Sequence, residues 1–384
     1  MDAHGDNDDR HHYIEFLQRQ LLTPGWDAFF DPCLMLKWAR QMANDSPSND
    51  GVTPYSGTKS PVAHLENLIQ DFKPATVFDS LQTQLIFAPI LETVMLAANE
   101  INVHLRGSVQ LVTSTDVTAS PASRPSAGLH LLFIGLGTSS FSNYWAKAFT
   151  AVIKALAKDD PLRRFSTPEE VQSALRADPS GVVLAARLAL AYGTYGSLIG
   201  FGEVNQPAEY LAYRLQLLQA FETFVVAHEF AHFVAEEQIP ELRDVVDTES
   251  SHDLEYFCDH LALQLARHAA NHQNNFLSFA GLGGILFFRA MQLSEVARTK
   301  FVALQTSSPK LARSSQRTTR VSAHPSLDER IQQIKALVPP LTPEDQRTEV
   351  VAFLFEYDLI ASYLLNFIRD IFDTLESSEG RKSH

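Results

Sequence analysis

With 384 residues, 45% of them hydrophobic, the chain is long enough for two or three domains and can bury a sizeable core. A formal net charge of −14, spread along the chain with no basic patch, argues against nucleic-acid binding. Two cysteines, Cys33 and Cys258, imply no disulfide framework and fit a reducing cytoplasmic compartment, and the acidic stretch Met1 to Arg10 has no signal-peptide character.

In chain order, residues 1 to about 12 read as a solvated tail carrying His4, His11 and His12. Tyr13 to Leu22 and Asp31 to Ala43 have the period of short amphipathic helices, and Asn44 to Pro61 has a loop composition. Ser80 to Asn99 is helical in period, with Pro89 expected to kink or break it. Ile101 to Thr113 alternates around Arg106-Gly107 and predicts a strand or hairpin. Ser114 to Gly128 reads as a loop, and Leu129 to Ile134 as a buried strand. Gly135 and Gly137 then predict a tight turn into a helix from about Tyr144 to Ala157. They do not complete a dinucleotide fingerprint, because its third glycine is missing. His130 reads as a strand residue rather than a ligand.

Thr167-Pro168-Glu169-Glu170 is a helix start. Gly181 to Gly202 approaches bilayer length, but Tyr192, Thr194, Tyr195, Ser197 and its glycines favour a buried helix followed by a turn. Ala280 to Met291 is too short to span, so no stable membrane insertion is expected.

The most informative stretch is the helix expected from Gln206 to Glu237. His228 and His232 lie four residues apart, which puts both imidazoles on one helical face. With Glu229 they form H-E-x-x-H, two nitrogen ligands for zinc and a carboxylate able to reach a metal-bound water. The flanks, including Phe221, Phe224, Val225, Phe230, Phe233 and Val234, are apolar nearly all round, so the helix belongs in a core. Ionisable groups there are costly unless paired or bound to metal.

A catalytic zinc site needs a third protein ligand. Ser250 to Asp253 has the form of a helix start, and beyond it Glu255 and Asp259 share a face, beginning 23 residues after His232. One of the two can bind the metal while the other accepts the N–H of a ligand histidine. Of the nearby alternatives, His252 lies ahead of the helix body, His260 falls on another face, and Cys258 reads as a small core residue. His268 and His272 repeat the four-residue spacing on a polar helix end and read as exposed.

His228-Glu229-x-x-His232 followed by Glu255-x-x-x-Asp259 resembles the gluzincin metallopeptidases. Ala323-His324-Pro325-Ser326-Leu-Asp-Glu-Arg330-Ile331 looks like the T-H-P-x-x-x-x-R-I block of the HtpX and CAAX-prenyl protease clan, with Ala323 in place of Thr. The order of all three blocks is similar to that of the soluble Lit-type phage-exclusion peptidases. The resemblance covers roughly residues 205 to 335.

It implies that His228, His232 and Glu255 hold Zn2+, that Glu229 is the general base, and that Asp259 accepts from a ligand histidine. It also implies that Arg330 braces the acidic groups. For His324 it leaves open an oxyanion role or simple capping of a helix starting near Ser326. The Lit-type likeness implies a narrow substrate range, such as one host protein.

The expected fold is mainly α (α+β), a zincin-like helical catalytic domain with a small sheet. The expected division is an N-terminal region over 1–128, the metallopeptidase domain over 129–340, and a C-terminal helix over 341–384 packed on the catalytic helices. A strand from Leu129 to Ile134, or part of Ile101 to Thr113, is expected to flank the cleft as an edge for extended peptide. The function expected is zinc-dependent peptide-bond hydrolysis of a protein or peptide substrate, by an endopeptidase. The alternative is a regulatory, partner-binding protein with a structural or vestigial zinc site.

Overall fold

The structure, a computed structural model, describes residues 3–23, 67, 69–74, 76–124, 128–156, 167–239, 241, 248–307 and 325–380. Asp31 to Ala43, Asn44 to Pro61 and His324 lie outside the described residues. What is described is mainly helical, with a small three-stranded mixed sheet.

The sheet is built on β3 (Leu129–Gly135), whose apolar run is buried from His130 onward. β1 (Ser108–Ser114) pairs with it in parallel and β2 (Ala122–Arg124) antiparallel, in the order β1-β3-β2. The two-residue period divides β3 between two faces. Leu131 and Phe133 meet Ile14 of α1 (Ala3–Gln20), while Leu132 and Ile134 join the main helical core. No hairpin forms at Arg106-Gly107, because both backbone N–H groups donate to the Glu237 carboxylate, at 2.6 and 3.1 Å. α1 begins at Ala3, so most of the expected tail is helical, and its Arg10 donates to Gln110 of β1 at 2.6 Å.

The glycines after β3 mark close packing. A Cβ on Gly137 would lie 2.0 Å from the Thr118 carbonyl oxygen, so only glycine lets the chain pass there. The helix starts at once, as α3 (Leu136–Leu156), rather than near Tyr144.

α2 (Leu81–Glu100) runs through Pro89 without ending. Burial of Phe87, Ile90, Leu91 and Val94 along one side outweighs the single backbone hydrogen bond that proline removes. α4 (Pro168–Ala177) begins at the expected start, where Thr167 and Glu170 form a capping box. α5 (Ser180–Tyr195) stops at Gly196, whose φ of 70° closes it in the left-handed region after 16 residues, short of a bilayer span. Among the described residues, the two helices long and apolar enough to cross a membrane are other ones, Leu81–Glu100 and Glu344–Thr374, and both also contribute to the core.

α6 (Leu211–Gln238) follows a short 3-10 turn, Ala208–Tyr210, that Pro207 opens. α2, α3, both β2 and β3, α7 (Thr248–Gln273), α8 (Phe276–Phe279) and α9 (Leu282–Ser307) all pack against it. That enclosure is why its stretch from Phe221 to Val234 is apolar nearly all round. Gly283 lets α9 approach closely, since a Cβ there would sit 2.2 Å from the Ala220 carbonyl oxygen. α10 (Leu327–Leu341) and α11 (Glu344–Gly380) complete the chain. α11 packs on α9, α4, α5 and α10, and so meets the His228 helix through α9.

Candidate metal centre

His228 and His232 lie at the middle of α6 with side chains 12% and 20% exposed, so the rings are reachable from solvent. Their Nε2 atoms are 3.3 Å apart. α7 runs alongside α6 and brings in Glu255 and Asp259, which are almost wholly buried. Oε2 of Glu255 is 3.5 Å from Nε2 of His228, and Oε1 is 3.9 Å from Nε2 of His232. Asp259 takes the other side of the His228 ring, with Oδ1 3.0 Å from Nδ1. That contact has ion-pair distance but does not align as a hydrogen bond.

Arg330 closes the arrangement from α10. The capping box of Ser326 and Glu329 starts that helix and sets Arg330 in its first turn. Its Nε and Nη2 donate to the two oxygens of Asp259 at 2.7 and 2.6 Å, a bidentate pair, and Nη1 lies 3.2 Å from Glu255. The guanidinium also sits 4.2 Å over the Phe288 ring.

The residues fit a zinc ion. Zinc bonds of about 2.0–2.2 Å give tetrahedral corners about 3.3–3.6 Å apart. The two Nε2 atoms, 3.3 Å apart, match that spacing, and Glu255 faces them with one oxygen each, Oε2 at 3.5 Å from His228 and Oε1 at 3.9 Å from His232. Glu229 is also near: among the described residues, His228, Glu229 and His232 have donor atoms all within 4.8 Å of one another. The surroundings separate the two carboxylates. Glu255 faces the Arg330 cation, whereas Glu229 lies on the side of Ser123 of β2.

Electrostatics divide the two imidazoles. Burial alone pushes His228 down, but Asp259 and Glu255 overcome it and raise the ring to about 9. Burial, and then the repulsion of His228, lowers His232 to about 4. A proton and a zinc ion therefore compete for His228. Burial raises Glu229 above the ordinary carboxylate range, with Glu255 adding to the effect and His228 and Ser123 opposing it. A carboxylate shifted toward neutrality is the better proton acceptor near pH 7.

Other sequence expectations fall elsewhere. α7 already begins at Thr248, so His252 sits inside the helix, one turn before Glu255, and its buried Nε2 has no partner. Cys258 is fully buried, and burial pushes its thiol far up, so it remains a core residue. His260 contacts Gln264 at 3.1 Å. His130 is buried, 2.5 Å from Glu237 and stacked on Phe233.

β3 is the central strand, with β1 along its length and β2 against Leu131 to Phe133, so Leu129 to Ile134 is not an edge strand, whereas β1, largely within the other expected range, is one. Of the two strands that pack on α6, β2, inside the expected loop, is the one on the Glu229 side. Its Ala-Ser-Arg sequence has no β-branched or aromatic residue to signal a strand. Two cavities among the described residues, about 710 and 350 Å³, flank the sheet away from the histidines, beside β1 and α2 and beneath α1. No family model, no curated protein and no solved structure matches this chain.

Proposed function

We propose that the chain is a zinc-dependent peptidase of the gluzincin type that acts in the cytoplasm on a protein or peptide substrate. The observation that supports this most is the convergence of Glu255 on both Nε2 atoms, at 3.5 and 3.9 Å, from a different helix. H-E-x-x-H alone supplies two ligands; the buried carboxylate opposite supplies a third and leaves a position open.

In this reading His228, His232 and Glu255 hold the ion. A bound zinc ion supplies Lewis acidity toward the scissile carbonyl and makes water acidic enough to attack near neutral pH. Asp259 sits on Nδ1 of His228 and so fixes the ring with Nε2 turned inward. Arg330 balances the two carboxylates of α7. Glu229 takes the proton of the attacking water and returns it to the leaving amine.

Terminal proteomics on cells producing the wild type or Glu229→Gln tests this. New protein termini that appear only with the wild type support peptidase activity. Identical termini in both would contradict it.

A further inference from the structure

Outside the site, Arg289 of α9 is a buried cation, with its side chain 9% exposed. Its Nη1 donates to Gln292 at 2.6 Å and to Asp328 at 2.9 Å, and its Nη2 donates to Asp358 at 2.9 Å. Gln292 donates in turn to the second oxygen of Asp328 at 2.6 Å. Both oxygens of one carboxylate are thus held by two side chains one turn apart on α9. Lys335 holds the other oxygen of Asp358 at 2.8 Å.

The arrangement is a poor choice for stability alone. Nε of Arg289 is buried without a partner, and burying a guanidinium this way costs more than an apolar side chain of similar length. What it does is fix position. Asp328 lies in the first turn of α10, two residues before Arg330. Phe288, next to Arg289 on α9, carries the Arg330 guanidinium on its ring face. Adjacent residues of α9 therefore grip the first turn of α10 at two points, Arg289 holding Asp328 by charge and Phe288 holding Arg330 by stacking.

We infer that Arg289 is a positioning residue for the metal centre. It sets the start of α10 so that Arg330 reaches Asp259 and Glu255, and Asp259 in turn reaches His228. Through Asp358 the same cation ties in α11, so the C-terminal helix and the centre share one anchor. The inference rests on the zinc reading only for its effect on metal; the placement of Arg330 stands apart from it.

Arg289→Met tests this with little risk to the fold. Asp328 is 62% exposed and becomes solvated, and Asp358 keeps Lys335, so no buried carboxylate is abandoned. Lys335→Met is the control, since it removes a cation from Asp358 without touching the start of α10. Two quantities are read on the metal-free protein: labelling of Arg330 by phenylglyoxal, located by peptide mass spectrometry, and zinc affinity by titration.

Arg289→Met is expected to label Arg330 at least ~10-fold faster and to bind zinc about 10-fold more weakly, while Lys335→Met stays within about two-fold of wild type in both. Arg330 as protected in Arg289→Met as in wild type overturns the inference, whatever the zinc result. A wild type that takes up no zinc, with Arg330 released in Arg289→Met, overturns the metal reading and leaves the positioning role standing. Should Arg289→Met fail to fold, Arg289→Lys keeps the charge but cannot serve three acceptors. It is judged by the same labelling, with the same outcome overturning the role.

Discussion

The chain carries one spacing twice, and the two copies differ in nearly everything else. His228 and His232 lie in the middle of α6, enclosed by helices and sheet, with Glu255 and Asp259 facing them from α7. His268 and His272 lie toward the end of α7, about two-fifths exposed, and both meet a single half-exposed carboxylate, Glu100, at 3.4 and 2.7 Å. Helical spacing places two rings on one face in either case. Burial, and a layer of carboxylates backed by a guanidinium, is what sets the first pair apart and, in the proposed reading, suits it to a metal. The second pair is a solvated contact that joins α2 to α7.

The sharpest way to break that contrast is to remove the chemistry and keep the fold. Glu229→Gln should retain zinc and lose about 10²–10⁴-fold in peptide hydrolysis, measured on a substrate found by terminal proteomics. Next comes the charge behind the rings. Arg330→Ala leaves Asp259 and Glu255 buried without their cation, so metal-free protein should lose about 3–5 kcal/mol in urea unfolding. An unchanged unfolding midpoint would show that the buried layer is not held by that guanidinium.

A third test concerns another ionisable group of α6. Glu222 is buried two turns before His228, and burial raises its carboxyl to about 8. Folded protein keeps this proton up to about pH 8, whereas the unfolded chain releases it near 4.5. Fewer protons are bound on unfolding, so stability falls as pH rises between those values. Glu222→Gln should remove that slope and gain about 3 kcal/mol at pH 7, with little change at pH 4. Unfolding curves at the two pH values check it, and a destabilised variant at pH 7 contradicts it. The smallest effect belongs to the second histidine pair. His268→Ala and His272→Ala should each shift stability by less than about 1 kcal/mol, because exposed ion pairs are worth little, and zinc content should not change.

How much of this was legible in the sequence follows from how local each signal is. The mainly helical class with a small sheet, the buried strand at Leu129 and the capped start at Thr167 all rest on residues close in the chain. The spacing of His228 to His232, and of Glu255 to Asp259, is likewise local, so the faces they occupy were readable. Contacts between distant segments were not. Glu237 takes the N–H groups that a hairpin at Arg106-Gly107 would have used, and it lies 130 residues beyond Gly107. β2 has a sequence with no strand preference and exists because β3 offers an edge. The early start of α3 depends on a carbonyl of Thr118 that only glycine accommodates. Nothing near Arg289 or Asp328 in sequence announces that they meet, 39 residues apart.

The claim on which the rest depends is that His228, His232 and Glu255 together grip one zinc ion. Zinc stoichiometry by elemental analysis, after reconstitution and removal of loosely held metal, tests it most directly. The account predicts one zinc per chain in the wild type and in the His268→Ala, His272→Ala double variant, and none in His228→Ala or Glu255→Ala. Zinc retained by His228→Ala, or lost with the second pair alone, would contradict it.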